Sequence, residues 1–181
     1  MMEKMPRNIT SPKRRSGCPL NASVEMLGDR WSLLIIRDMM LRGFRSYKQF
    51  MDCYEGIATN ILADRLRKLI DYGIIAAAAD PSDGRKVTYQ LTGKGIDLAP
   101  VLTEMVLWAA AHEETGNQPL VRLMREDKQK FLAGIRQRWA ESRNSPRQQV
   151  NARDLTFVKA PSRPPGLRLK SSRKVNRKSR N

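Results

Sequence analysis

Cysteine and histidine are scarce in this sequence of 181 residues, which contains two cysteines and one histidine. Two cysteines are too few for a disulfide framework. Cys18, Cys53 and His112 together also fall short of the four ligands of a structural zinc site. We therefore expect neither a bound metal nor a cofactor.

Long apolar runs are also absent. A helix that spans a bilayer needs roughly 20 consecutive apolar residues, whereas a run such as LLII at 33–36 ends at Arg37. Residues 1–17 are basic but lack the apolar segment of a secretory signal. These absences predict a cytoplasmic protein with no membrane partner.

The motifs of common enzyme classes are missing as well. The sequence has no glycine-rich phosphate loop and no nucleophile elbow, and its single histidine, His112, falls on a predicted helix face. We therefore expect that the protein is not an enzyme.

Positive charge is what the sequence has in excess, with a net charge of +16. Residues 1–17 carry +4 and residues 116–181 carry +14, whereas residues 18–115 carry −2. Such an excess indicates a polyanionic partner such as nucleic acid or an anionic membrane; since no membrane partner is expected here, nucleic acid is favoured. We predict a basic flexible arm over 1–17, a domain over 18–115, an additional amphipathic helix over 116–141, and a basic, disordered tail over 142–181.

Apolar residues at helical spacing predict three short helices in the first part of the domain. The first covers Leu20–Leu27 and the second Trp31–Leu41. The third begins after Ser46 and runs to about Tyr54, because Ser46 and Gln49 have the spacing of a capping box.

The stretch GIATNILADRLRKLIDYGII, residues 56–75, predicts a fourth helix. Its apolar residues fall within about 100° of one another in a helical projection and predict a core stripe of Leu62, Leu66, Leu69 and Ile70. The opposite face carries charges of both signs: Asn60, Asp64, Arg67 and Asp71, with Ala63 at its margin.

A β-hairpin follows the fourth helix. The segments IIAAAA (74–79) and KVTYQL (86–91) flank the turn signal Asp83-Gly84. Thr92 is predicted to cap a further helix that continues to His112, and another amphipathic helix is predicted over 119–141.

This order of elements is typical of a winged helix-turn-helix, a mainly α fold with a small β-hairpin. In that design the second helix of the turn enters the major groove of DNA. The hairpin tip, here Arg85 and Lys86, reaches a neighbouring backbone or minor groove.

The segment from Cys18 to about Glu113 resembles the HxlR-type family of bacterial winged helix-turn-helix regulators. The resemblance rests on CPLNASVEMLGDRWSLLIIRDMMLRG, GIATNILADRLRKLIDYGII and DPSDGRKVTYQLTGKG, which occur in family order and spacing. It implies a transcriptional regulator that binds palindromic double-stranded DNA as a homodimer, joined through terminal helices. The dimer contacts we expect are Leu20, Val24, Leu102, Met105 and Trp108.

By this resemblance, the helix that reads DNA corresponds to Ala58–Asp71. Ala58 stands where the family has a serine, which leaves Thr59 as the cap or as a phosphate contact. Asn can pair with adenine and Arg with guanine or phosphate. Asp64 could accept from cytosine, although we favour a solvated side chain. The expected DNA contacts are Ser46, Thr59, Asn60, Ala63, Arg67, Arg85 and Lys86.

Cys18 is a candidate redox sensor. It precedes a predicted helix start and lies close in sequence to Lys13, Arg14 and Arg15, so the helix dipole and these cations attract negative charge. In some HxlR-type regulators the cysteine at this position senses oxidants or electrophiles. The alternative is a small buried residue at a helix end, and Cys53 is expected in the core.

Two functions follow from these features. The first is a sequence-specific regulator; the alternative is a nucleoid-associated or RNA-associated protein that binds nucleic acid non-specifically through its basic tail. A preference of roughly 10³ or more for one promoter over random duplex would indicate the regulator. No particular small-molecule effector is predicted.

Overall fold

A computed structural model of the chain describes residues 16–53, 55–80, 83 and 86–144. Most of the predicted N-terminal arm and C-terminal tail, together with Tyr54 and Arg85, therefore lie outside the described residues. The elements are α1 (Pro19–Leu27), α2 (Arg30–Leu41), α3 (Tyr47–Met51), α4 (Thr59–Asp71), β1 (Ile75–Ala79), β2 (Val87–Leu91), α5 (Gly93–Ile96), α6 (Ala99–His112), α7 (Gln118–Glu126) and α8 (Lys128–Asn144). None of the described helices is long and apolar enough to cross a membrane.

Side-chain caps fix the starts of several helices. Ser46 and Gln49 form the predicted capping box at α3, and the Thr92 hydroxyl accepts from the Gly95 amide at α5. The expectation that Thr59 caps α4 is wrong, because Thr59 is the first helical residue and Ala58 precedes it without a side-chain cap. The hydroxyl of Thr59 is therefore not used to start the helix.

The core forms where α2 and α4 pack together beneath the hairpin. Leu62, Leu66 and Leu69 of α4 are buried, and Ile70 is half-buried against them, which confirms the predicted apolar stripe. Complete burial of one such side chain stabilises the fold by about 1.5–3 kcal/mol. The stripe therefore anchors one face of α4 and leaves the other face at the surface.

The hairpin is joined to the start of α3. Strands β1 and β2 pair in antiparallel register from Ile75 opposite Leu91 to Ala79 opposite Val87. The Tyr89 amide donates to the Arg45 carbonyl at 2.7 Å, and Ser46 forms an isolated bridge with Thr88. These contacts fix the hairpin against the helices, as a two-stranded sheet requires.

The single helix predicted over 119–141 is wrong, because this segment forms two helices. Asp127 has an extended backbone (φ −150°, ψ 86°) that interrupts them, and its carboxylate accepts from the Lys130 amide at 2.8 Å. A carboxylate cap of this kind stabilises a new helix start. Met124 and Phe131 lie seven positions apart across Asp127, a separation that one uninterrupted amphipathic helix also shows, so apolar spacing gives no sign of the break.

Helix α8 packs back onto the winged domain. Its Ile135 side chain is buried in the common core, and the Trp139 indole Nε1–H donates to the Leu91 carbonyl at 2.8 Å. Arg45 donates from Nη2 to the Ser142 carbonyl at 3.2 Å. The end of α8 therefore lies beside the loop that leads into α3.

Candidate nucleic-acid interface

The outward face of α4 is exposed as the sequence predicts. Its surface residues include Thr59 and Asn60 in the first turn and Ala63 and Arg67 further along. Asp64 is also exposed and lies 3.3 Å from Arg65, between Oδ2 and Nη1. A helix with this accessible face fits the width of a major groove.

The angle between α3 and α4 is fixed by a side chain that the sequence analysis did not single out. The Tyr47 hydroxyl donates to the Thr59 carbonyl at 2.7 Å and joins the first turns of the two helices. Between them Gly56 adopts φ 68°, a left-handed conformation that favours glycine, and Ile57 is buried. The available sequence signal for this contact was a tyrosine immediately after Ser46, the N-cap of α3.

Two of the three basic side chains of α4 contact α2 instead of presenting their charges on the outward face. Arg65 Nε lies 3.3 Å and Lys68 Nζ 3.5 Å from the carboxylate of Asp29. Asp29 is also the N-cap of α2 and accepts from the Ser32 amide at 2.9 Å and the Ser32 hydroxyl at 2.6 Å. Asp29 therefore links α2 to α4. The sequence signal for this role was an aspartate immediately before the predicted apolar helix α2.

The environment of Asp29 lowers its pKa below the ordinary value of 3.8. Burial acts in the opposite direction, but the hydrogen bonds from Ser32 and the charges of Arg65 and Lys68 outweigh it. A carboxyl group with a lowered pKa contributes stability above its unfolded pKa, and this contribution is lost as the pH falls through the folded pKa.

Replacing Asp29 tests this junction. Asp29→Ala removes the cap and both ion pairs and should lower the free energy of unfolding by about 1–3 kcal/mol at pH 7, measured by urea denaturation. Asp29→Asn keeps a capping side chain, so it should cost less and should flatten the acid loss of stability below about pH 4. Asp71→Asn, at the exposed end of α4, is the matched control. Equal pH profiles for wild type and Asp29→Asn would contradict the assignment.

The other predicted DNA contacts lie in different settings. Ser46 is half-buried, and its hydroxyl interacts with Gln49 in the capping box. Lys86, at the start of the second hairpin arm, is exposed, with Nζ 3.4 Å from Asp83 Oδ2. Arg85 lies outside the described residues.

The residues predicted for dimer contact are mostly at the surface. Leu20 and Val24 of α1 are exposed, as are Met105 and Trp108 of α6. Leu102 differs, because it is half-buried and packs against the core. These exposed side chains are accessible to another chain, and a contiguous apolar patch of this kind would be typical of an interaction surface.

The two cysteines have contrasting environments. Cys18 is exposed at the N-cap of α1, so the buried alternative is wrong. Cys53 is half-buried, with its thiol 3.5 Å from Asp38 Oδ2 and 3.4 Å from Arg42 Nη1, so its surroundings are ionic as well as apolar. Burial raises the pKa of the Cys53 thiol.

Among the described residues no group of three or more His, Cys, Asp or Glu side chains could hold a metal.

The model of the HxlR-like helix-turn-helix family matches residues 26–117, about half of the chain. This chain belongs to the HxlR-like helix-turn-helix family. The matched segment contains α2 to α6 with the hairpin, and therefore the whole of the exposed α4 face. Cys18 and the helices α7 and α8 lie outside it.

Two similar proteins support the same assignment. The chain is 34% identical over 101 residues to the HTH-type transcriptional regulator YodB of Bacillus subtilis, covering 55% of this chain and 89% of YodB. It is 36% identical over 88 residues to an uncharacterized HTH-type transcriptional regulator of Synechocystis, covering 49% of this chain and 64% of that protein. The chain thus spans less than two thirds of the Synechocystis relative.

The solved structure of PA1607, described as a candidate transcription factor, has a TM-score of 0.51 with this chain. It is 34% identical, and the match covers 55% of this chain and 68% of PA1607. The predicted winged helix-turn-helix fold is confirmed. The matched segment of this HxlR-like protein contains a helix-turn-helix domain, and the relatives that it resembles are named as transcriptional regulators and not as enzymes.

Proposed function

We propose that this HxlR-like regulator is a cytoplasmic protein that binds a palindromic promoter site as a homodimer. One α4 helix of each subunit lies in a major groove of the DNA. The observation that carries the proposal is the division of α4 into a buried apolar stripe and an exposed face with Asn60 and Arg67. The Tyr47 hydrogen bond to Thr59 supports it, because it holds the exposed face in a fixed orientation.

The side chains on α4 have different roles in this proposal. Asn60 reads adenine and Arg67 reads guanine or holds a phosphate. Thr59 contacts a phosphate at the helix tip, and Ala63 permits close approach to a thymine methyl. Asp64 stays solvated beside Arg65, which limits its repulsion of the DNA.

The start of α3 and the hairpin contact the DNA backbone. Ser46 offers its hydroxyl to a phosphate where α3 begins, while Lys86 and Arg85 place positive charge at the wing. Because such contacts carry no sequence information, we assign them to orientation and not to specificity.

The homodimer is formed through α1 and α6 in this proposal. Leu20, Val24, Met105 and Trp108 supply an exposed apolar surface, and Leu102 supports it from the core side. Two α4 helices can read adjacent major grooves on one side of the duplex if they lie about 34–36 Å apart.

Selection of binding sites from random duplex DNA tests this function directly. We expect a palindromic site preferred over random duplex by about 10³ or more at physiological salt. Sedimentation equilibrium of the free protein should give a dimer, and Trp108→Asp should weaken it. Equal binding to random DNA or to RNA would instead support the non-specific alternative, which the charge of residues 116–181 favours.

We further propose that oxidation of Cys18 changes DNA binding. Diamide would take two electrons and two protons from a pair of Cys18 thiols in the dimer and leave an intersubunit disulfide. Cys53 is disfavoured in this role, because it is half-buried and the pKa of its thiol is raised.

The cysteine assignment can be tested with paired variants. Cys18→Ser should abolish the diamide effect on DNA binding and the covalent dimer on a non-reducing gel, whereas Cys53→Ser should retain both. An undiminished response in Cys18→Ser would refute the sensing role.

A further inference from the structure

A cavity of about 400 Å³ lies where α2, α6, α7 and α8 meet. Its walls are predominantly apolar and include Leu34, Leu102, Val106, Met124, Phe131 and Ile135. Concave apolar sites of about 300–1,000 Å³ are typical of small-molecule binding. Part of the wall comes from α7 and α8, outside the segment that matches the family. The cavity is thus built partly by the C-terminal extension of this chain.

The polar groups of the cavity are concentrated around Glu55. Arg30 Nη2 lies 3.0 Å from one carboxylate oxygen of Glu55, and Arg37 Nη1 lies 3.1 Å from the other. Thr103 also lines the cavity, but its hydroxyl donates to the Ala99 carbonyl at 2.9 Å. Arg37 is also paired with Asp38, at 2.9 Å between Nη2 and Oδ1, so the exposed Arg30 is the guanidinium group of the lining that an anionic ligand group can engage.

We propose that this cavity binds an organic anion that has an apolar, ring-containing body and one acidic group. The body would fill the space between α2, α6 and α8, where Leu34, Val106 and Phe131 offer apolar contact. The acidic group would bind at Arg30, whose side chain is 61% exposed and so can turn toward a ligand without a large desolvation cost. Arginine suits this role because its planar guanidinium binds carboxylates and sulfonates through paired hydrogen bonds.

The same helix that lines the cavity also contacts α4. Asp29, the N-cap of α2, is the immediate neighbour of Arg30 and pairs with Arg65 and Lys68. A ligand that binds Arg30 therefore acts at the first turn of α2, where α4 is held. We assign the site a regulatory role in which the ligand weakens DNA binding; this role rests on the proposed function, whereas ligand binding itself does not.

Two fluorescent probes with the same ring system separate the apolar and anionic parts of the site. 1-Anilinonaphthalene-8-sulfonate carries a sulfonate, and N-phenyl-1-naphthylamine lacks it. We expect saturable fluorescence of both with the full chain, at one probe per subunit. Arg30→Gln should weaken the sulfonate probe roughly tenfold and the uncharged probe less than about twofold, as expected for loss of one charge-assisted contact.

Cavity-filling variants locate the probes. Ala109→Trp should abolish binding of both probes, while Leu123→Ser, an exposed α7 position that does not line the cavity, should leave both unchanged. Circular dichroism checks that Ala109→Trp is folded. If this variant does not fold, the comparison of the two probes with Arg30→Gln still tests the site, because Arg30 is exposed. Unchanged binding in Ala109→Trp, or equal losses of both probes in Arg30→Gln, would overturn the proposal.

Two further measurements test what occupies the site and what it controls. If Ala109→Trp weakens the dimer as much as it weakens probe binding, a second copy of the chain fills the cavity and the small-molecule site is refuted. The sulfonate probe should lower affinity for the selected promoter site about fivefold or more in wild type and not in Ala109→Trp. Unchanged promoter affinity with the probe bound would overturn the regulatory role. The fluorescence results stand even if no specific promoter site exists.

Discussion

A chain that ends at Asn144 should bind any duplex at least about a hundredfold more weakly than the full chain at about 50 mM salt. Residues 145–181 contain 11 Lys and Arg and a single acidic residue. Each phosphate that they neutralise adds about 0.9 to the slope of log affinity against log salt. Helix α4 cannot replace this charge, because Arg65 and Lys68 pair with Asp29.

The position of α8 makes the effect of this deletion large. Ser142 accepts from Arg45, the residue before Ser46, so the last turn of α8 lies beside a proposed phosphate contact. The basic segment follows this turn directly in the sequence, so we expect its local concentration near the proposed DNA surface to be high.

Anisotropy titrations from about 50 to 200 mM salt measure the predicted loss of slope. A tail with its residues in scrambled order keeps the charge and should behave as wild type. A tail with all Lys and Arg replaced by Gln should behave as the deletion. The preference for the promoter site should survive in every chain; loss of preference with an unchanged slope would contradict this division of roles.

Asn60→Ala and Arg67→Ala should each weaken binding to the promoter site by about 1–3 kcal/mol, or roughly 5-fold to 150-fold. Both side chains lie on the exposed face of α4, opposite the buried leucines. Their loss removes contacts to base edges and so should have little effect on random duplex.

Competition titrations with promoter and random duplexes measure this difference. Arg125→Ala is the control for loss of one positive charge, because Arg125 is an exposed residue of α7 outside the segment that matches the family. If Arg67→Ala weakens all sequences equally and lowers the salt slope by about 1, Arg67 holds a phosphate and does not read a base. If neither variant changes promoter binding, α4 is not the reading helix.

The parts of the fold set by local sequence could be predicted. The capping box of Ser46 and Gln49 and the buried stripe of α4 depend on residues a few positions apart, so spacing alone reveals them. Comparison with relatives then confirmed the fold and the family.

Other features depend on contacts between distant segments and gave no comparable signal. The directions of Arg65 and Lys68 are set by Asp29, which lies more than 30 residues earlier in the chain. The break at Asp127 lies between Met124 and Phe131, whose separation of seven positions also fits one continuous helix, so periodicity cannot show where the first helix ends. The partly open cavity likewise exists only because α7 and α8 return to α2.

The docking of α8 has a consequence for where this protein can be divided. Sequence similarity to the family ends at residue 117, but Ile135 fills part of the shared core and Trp139 bonds to the end of β2. We therefore expect the unit that unfolds cooperatively to be longer than the segment that matches the family. A fragment cut at the family boundary would leave apolar surface of α2 open to water. Measurements on that fragment would combine the destabilising effect of truncation with the properties of the DNA-binding module.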